Sequence, residues 1–197
     1  MIDEALLMQF GKIANYDKGE ILFEKGDTPK YYFQVRKGAV KMNNFNDVGK
    51  EFVQGIFAEG DSFGEPPLLI NEYYPSNAVA ITKAEVYLLT KEKFLNLVLS
   101  NPVLHLQMTT VLAKRLYFKS IMASEISSQE PEHRVLQLID YFKIKVDNVP
   151  AETKHKIEIT RQQIADFTGL RVETVIRAIK SLEKKGELTI ESRKVYR

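Results

Sequence analysis

The chain has no cysteine, no tryptophan and only three histidines. Without thiols it can hold no disulfide, no thiolate zinc site and no cysteine-ligated iron–sulfur cluster. His105, His133 and His155 are scattered, so a histidine-rich metal site is not expected. His105 is one candidate for a haem ligand, and a lone histidine on a long helix is ordinarily a surface or interface residue. No apolar run approaches the about 18 residues of a membrane span, and the N-terminus lacks a basic-then-apolar signal, so a cytoplasmic protein is expected. GxSxG, P-loop and HExxH signatures are missing too. These absences point away from an enzyme, a metalloprotein and a membrane protein. A cupin-type barrel enzyme is disfavoured for the same reason, since no histidine falls in the β-prone region.

What is present begins with charge. The net charge of +2 conceals an asymmetry. Residues 150–197 carry eleven Lys/Arg against seven Asp/Glu, whereas residues 1–149 carry 17 against 19. The C-terminal part is the natural partner of a polyanion.

Residues 2–14 read as a short helix, with Ile2, Leu6, Phe10 and Ile13 at helical spacing. From Asp17 the pattern becomes short β-prone runs with corners at Gly19, Gly26, Gly38, Gly49, Gly60 and Gly64. That rhythm predicts an antiparallel roll or jelly roll. Lys91–Ser100 is a short helix, and Asn101-Pro102 opens a second that runs to about Ile126, some 37 Å at 1.5 Å per residue. Leu104, Met108, Val111, Arg115, Phe118, Met122 and Glu125 recur along it at spacings of four and three. That stripe suits pairing with a second copy of the helix. Residues 127–131 (SSQEP) read as a hinge, followed by a helix from Pro131 to about Lys145. The predicted division is a β-roll with flanking helices over 1–100, a dimerisation helix over 101–126, the hinge, and a C-terminal domain over 132–197.

The most informative stretch is ITRQQIADFTGLRVETVIRAIKSLEKK, residues 159–185. Counting Arg161 as one, Ala165 falls at five, Gly169 at nine and Val175 at fifteen, the spacing of a helix-turn-helix. Val175, Ile179 and Leu182 point to a core, and Glu173, Arg177, Lys180 and Lys184 form a second stripe facing outward. Thr160 is positioned to cap the first helix. Ile157–Ile159 reads as a short strand, and ELTIESRKVYR as a small hairpin, a wing. An α+β fold results: roll, long helix, winged helix-turn-helix.

On such a helix Arg177 can pair with guanine O6 and N7, and Glu173, four residues earlier, can accept from a cytosine amine. Val172 and Ile176 can touch thymine methyls. Arg171 can join phosphate contacts, which position a protein without reading sequence.

Over essentially its whole length the chain resembles the catabolite-activator/FNR (Crp/Fnr) family of bacterial transcription regulators. The stretches that carry the resemblance are KGEILFEKGD (18–27), FQVRKGAVKM (33–42), EGDSFGE (59–65) and ITRQQIADFTGLRVETVIR (159–177). GLRVETVIR is similar to the FNR branch, although Ile176 stands where most of that branch has serine. The resemblance implies a homodimer that binds a pseudo-palindromic site in double-stranded DNA with a TTG- or TGA-like half-site, and that meets RNA polymerase. It implies phosphate contacts by Arg161, Gln162, Thr174 and Lys180. It also implies an effector pocket at Phe63, Gly64, Glu65, Ser76, Asn77, Lys119 and Ser120.

Here the chain departs from the cyclic-AMP binders. Pro75 stands where they have the phosphate-binding arginine and brings neither charge nor backbone donor. Lys119 stands where they have threonine. A cyclic phosphate buried without a cationic partner is strongly disfavoured. The expectation is a regulator with no resident cofactor and an unidentified effector other than cyclic AMP. The competing expectation is a cyclic-nucleotide-binding regulatory protein that does respond to such a ligand.

Overall fold

In a computed structural model the chain divides into two compact units, Met1–Lys114 and Arg115–Arg197. The structure describes every residue except Val48, Lys50, Ser128 and Gln129, and leaves out the side chains of Met122, Ser124, Glu125, Ile126, Ser127, Lys145 and Val146. The central residues of the expected 127–131 hinge therefore lie outside the described residues, as do the side chains of Met122 and Glu125.

The first unit opens with helix α1 (Glu4–Phe10), capped by the Asp3 carboxylate on the Ala5 amide. It is shorter than the helix expected over 2–14. Gly11 is extended and packed so closely that an added Cβ would lie 2.8 Å from both the Leu7 and Leu88 carbonyl oxygens. From Lys12 the chain pairs with a neighbouring strand instead, and Ile13 belongs to that strand. Here the demand of sheet hydrogen bonding overrides an apolar spacing of helical type.

Eight strands follow: β1 (Lys12–Tyr16), β2 (Ile21–Phe23), β3 (Tyr31–Lys37), β4 (Val40–Phe45), β5 (Glu51–Phe57), β6 (Ser62–Phe63), β7 (Asn77–Ala80) and β8 (Ala84–Thr90). They form two antiparallel four-stranded sheets, ordered β1-β8-β3-β6 and β2-β7-β4-β5. Helix α2 (Glu65–Ile70) lies between β6 and β7, and α3 (Lys91–Ser100) follows β8 directly. The central β3–β8 pair of the first sheet is buried on both faces. Phe33, Val35, Val86 and Leu88 enter the core shared with Phe23, Val40 and Phe63. Their alternates Tyr32, Tyr87 and Leu89 meet Leu7, Phe94 and Leu104 on the helical side. The period of two in a strand explains this division.

Helix α4 runs from Pro102 to Ser127, with the Asn101 side chain accepting from the Leu104 amide at 3.1 Å. Its apolar stripe is not the free face that the sequence suggested. Leu104 and Met108 are buried in the helical-side core of their own unit, with Leu112 packed beside them. Phe118 packs on Tyr141, Phe142 and Phe167 inside the second unit. Val111 and Arg115 are only half-exposed. The outer face of the first sheet needs an apolar cover, and Leu104 and Met108 of α4 join α1 and α3 in supplying it from within the chain. Among the described residues, the large apolar side chains that α4 leaves exposed are Val103, Leu106, Leu116 and Tyr117.

The second unit contains α5 (Pro131–Tyr141), a π-helical turn (Phe142–Val146), α6 (Arg161–Thr168), α7 (Val172–Lys184) and the hairpin β9 (Thr189–Glu191) and β10 (Lys194–Tyr196). Val135, Leu138 and Ile139 of α5 share one core with Ile164, Val175 and Ile179. The strand expected at 157–159 is reduced to a single bridge between Lys156 and Tyr196. Arg197 closes the unit by a forked pair with Asp140, 2.6 and 3.1 Å long.

Gly38, at the turn between β3 and β4, has φ +84°, and an added Cβ would lie 2.3 Å from the Lys83 carbonyl oxygen. Both the dihedral and the contact oppose a side chain. Gly38→Ala should therefore lower the unfolding free energy by about 2 kcal/mol or more, read as a lower urea midpoint. An unchanged midpoint would overturn this account of the turn.

Candidate functional site

The candidate site is assembled from α6, α7 and the β9–β10 hairpin. Helix α6 begins with a reciprocal capping box. The Thr160 hydroxyl accepts from the Gln163 amide at 3.1 Å, and the Gln163 side-chain oxygen accepts from the Thr160 amide at 2.7 Å. Such a box satisfies two amides that the first turn of a helix leaves unpaired. The helix ends at Gly169, which adopts φ +69°. No atom lies within 4 Å of where its Cβ would be, so the backbone angle, and not crowding, calls for glycine there. The Arg134 guanidinium donates to the Thr168 carbonyl at 3.1 Å and ties this turn to α5.

Helix α7 separates its faces cleanly. Val175, Ala178, Ile179 and Leu182 are buried, and Glu173, Arg177, Lys180 and Lys184 are exposed. Burying one stripe holds the rotation of the helix, and with it the direction of the other stripe. The Arg177 guanidinium reaches back along its own helix and donates to the Thr174 hydroxyl at 3.4 Å. Glu132 on α5 pairs with Lys185 at 2.5 Å, and Lys185 holds the Glu132 carboxyl below the usual carboxylate range, chiefly by that hydrogen bond.

The expected DNA-reading residues fall along one helix, α7. Glu173 and Arg177 are side by side on the exposed face, and Ile176 is half-exposed next to them. Val172 is half-exposed as well and packs partly against the core. Arg171 precedes the helix and is exposed. Gln162 donates to Asp166 at 2.8 Å. Arg161 has a structural contact that the sequence did not suggest: its guanidinium donates to the Arg193 carbonyl in the hairpin at 3.4–3.5 Å. Ser192 and Arg193 form the turn with φ +48° and +67°, the two left-handed residues of a type I′ hairpin. Arg193 and Lys194 thereby stand exposed at the tip. These two cations were missed from sequence, where the only signal was a basic pair at the corner of a predicted hairpin.

The expected effector residues are divided between the two units. Phe63, Gly64, Glu65, Ser76 and Asn77 belong to the first unit, and Lys119 and Ser120 to the second. Lys119 and Ser120 are exposed, and the Ser120 hydroxyl donates to the Leu116 carbonyl at 2.9 Å. Glu65 is fully buried and accepts a hydrogen bond from Ser62. Phe63 lies at the centre of an aromatic group, 5.2 Å from Phe33 and 5.4 Å from Phe57 between ring centroids. The Asn77 side chain accepts from the Lys25 amide. The Ser76 hydroxyl is buried without a hydrogen-bond partner among the described residues. Pro75 is exposed. His105 is exposed on α4, and no group of three or more His, Cys, Asp or Glu suited to a metal occurs among the described residues.

A β-roll joined in one chain to a winged helix-turn-helix with a basic exposed face defines a DNA-binding protein with an attached β-roll domain. Comparison with known proteins agrees. Residues 13–101 match the cyclic nucleotide-binding domain family, and residues 134–196 match the Crp-like helix-turn-helix domain family. The cAMP-activated global transcriptional regulator CRP of Haemophilus influenzae is 28% identical over 173 residues, 87% of this chain and 77% of that protein. The transcriptional activator FnrA of Stutzerimonas stutzeri is 25% identical over 179 residues, 90% of this chain and 73% of that protein. Among solved structures, the c-di-GMP-responsive regulator CLP of Xanthomonas campestris superposes with a TM-score of 0.73 at 20% identity, covering 97% of this chain and 95% of that one. The chain belongs to the Crp/Fnr family of DNA-binding transcription regulators.

Proposed function

We propose that the protein acts in the bacterial cytoplasm as a homodimer that reads a pseudo-palindromic DNA site and has no enzymatic activity of its own. The observation that carries this reading is the exposed Glu173–Arg177–Lys180 stripe on a helix whose opposite stripe is buried. Arg177 pairs with a guanine and Glu173 with the neighbouring cytosine, with Ile176 as the apolar flank; a TTG- or TGA-like half-site follows. The run Val172-Glu173-Thr174 keeps the recognition helix nearer the FNR branch than the catabolite activator. Arg161, Gln162, Arg171, Thr174 and Lys180 contact phosphates, joined by Arg193 and Lys194 from the hairpin. Bound at a promoter, the dimer meets RNA polymerase.

Two copies are needed because one recognition helix spans only a half-site. In place of the buried Leu104–Met108 stripe, the pairing face is the exposed side of α4. Val103, Leu106, Thr110 and Ala113 recur there at alternating spacings of three and four, all exposed. Leu106 is 68% exposed, and small residues at 110 and 113 let two helices approach closely. In this division the roll is the sensor, α4 the dimerisation helix, and the segment over 127–131 the hinge to the DNA-binding domain.

The effector is not cyclic AMP. Pro75 supplies no cation, Glu65 is engaged by Ser62, and the roll interior is filled by Phe23, Phe33, Phe63 and Tyr74. A second reading, response to a cyclic nucleotide, is favoured by the family match over 13–101 and by the unpaired Ser76 hydroxyl. The missing phosphate partner weighs more, because a buried phosphate depends on it.

Arg177→Ala should cost about 1–3 kcal/mol of binding and relax preference at one base pair; equal weakening on all sequences in a titration would overturn its role. Leu106→Glu should convert the sedimenting species to monomer and weaken binding to a two-half-site DNA roughly 100-fold; a persistent dimer would overturn the pairing face. Titration calorimetry with cyclic AMP should give no saturable heat, and micromolar affinity would overturn the reading of Pro75.

A further inference from the structure

The first unit contains a cleft of about 470 Å³ that none of the expected effector residues lines. Phe23, Tyr31, Phe33 and Tyr74 supply its walls, and Asp27 and Lys30 are among its polar lining residues. Its volume is in the range of small-molecule sites, and its aromatic walls stand beside polar and charged groups. The rings are mutually ordered. Phe23 stacks on Tyr74 at 3.6 Å and 11°, and Phe33 lies 5.5 Å from Phe23.

Tyr74 carries a second feature. The residue is 3% exposed, and its hydroxyl is buried with no hydrogen-bond partner among the described residues. Buried hydroxyls are normally paired, and an unpaired one calls for an explanation. Burial, with the nearby Asp27 and then Glu65 carboxylates, pushes the phenol well above its ordinary range. It therefore remains a protonated donor at physiological pH. The charged side chains Asp27 and Lys30 are of opposite sign, so neither an anion nor a cation is favoured as a class. Two backbone bonds join the cleft to the segment that leads from α2 to β7: the Gly26 amide to the Tyr74 carbonyl at 2.9 Å, and the Tyr74 amide to the Asp27 carbonyl at 3.0 Å.

We propose that this cleft binds a small, planar, uncharged aromatic molecule bearing one hydrogen-bond acceptor. The ligand's ring packs against the aromatic walls, and its acceptor takes the Tyr74 hydroxyl. The site adjoins the nucleotide-type positions, since the Tyr74 ring lies beside Gly64, but it shares no lining residue with them, and it stands or falls independently of the DNA-reading role.

The test is a titration of the full-length protein with acetophenone, followed by two-dimensional NMR of backbone and aromatic groups. Ethylbenzene, which lacks the acceptor, and benzoate, which is anionic, serve as comparisons. Acetophenone should give saturable shifts at Phe23, Gly26, Asp27 and Tyr74, and benzoate should bind more weakly. Tyr74→Phe, which removes only the hydroxyl, should weaken acetophenone roughly tenfold and leave ethylbenzene unchanged. Thr28→Trp, from an exposed lining position, should block both. Absence of saturable shifts at these residues, or equal acetophenone affinity for the protein and Tyr74→Phe, overturns the proposal.

Discussion

The burial of one stripe of α7 is the constraint on which the DNA-facing end depends. Val175, Ala178, Ile179 and Leu182 insert into a core built with α5, α6 and the hairpin. Rotating the helix to present another face would expose those four side chains, at about 25 cal/mol for each Å² of apolar surface returned to water. The orientation of Glu173, Arg177 and Lys180 is thus a consequence of packing on the opposite side. The capping box at Thr160 and the left-handed Gly169 hold the preceding helix and turn against the same core. The chemistry of the site is exposed, and the rigidity that aims it is buried.

The sheets of the first unit obey a related rule. A sheet covered on both faces must find apolar partners twice. The β3–β8 pair sends Phe33, Val35, Val86 and Leu88 to the roll interior and Tyr32, Tyr87 and Leu89 to the helical side. Serving that second face draws Leu104 and Met108 of α4 inward. The exposed side of α4 is left to Val103 and Leu106, and this moves the proposed pairing face around the helix. The same economy of apolar side chains fills the roll with aromatic rings and leaves Glu65 buried against Ser62.

Much of the molecule was legible from residue order. Glycine corners announced the roll, and the Ala165, Gly169 and Val175 spacing announced the helix-turn-helix. The outward stripe of α7 was also legible, because a helix of period 3.6 allows its two faces to be read directly. Thr160 was recognisable as a cap from its position alone. Less legible were the ends of α1, where Gly11 and pairing with β8 stopped a helical spacing early, and the hairpin cations Arg193 and Lys194, which a turn with two left-handed residues presents.

By itself, then, the sequence determined the order of modules, the absence of thiol chemistry and the identity of the exposed stripe on α7, since these follow from composition and local period. Tertiary structure decided which apolar stripe of α4 the chain keeps for itself, that Val172 packs partly against the core, that Arg161 braces the hairpin, and that Tyr74 closes an aromatic cleft with an unpaired hydroxyl. Each of those depends on contacts between residues distant in sequence. An apolar stripe looks the same whether its partner is another copy or the chain's own sheet, and only the folded arrangement distinguishes them.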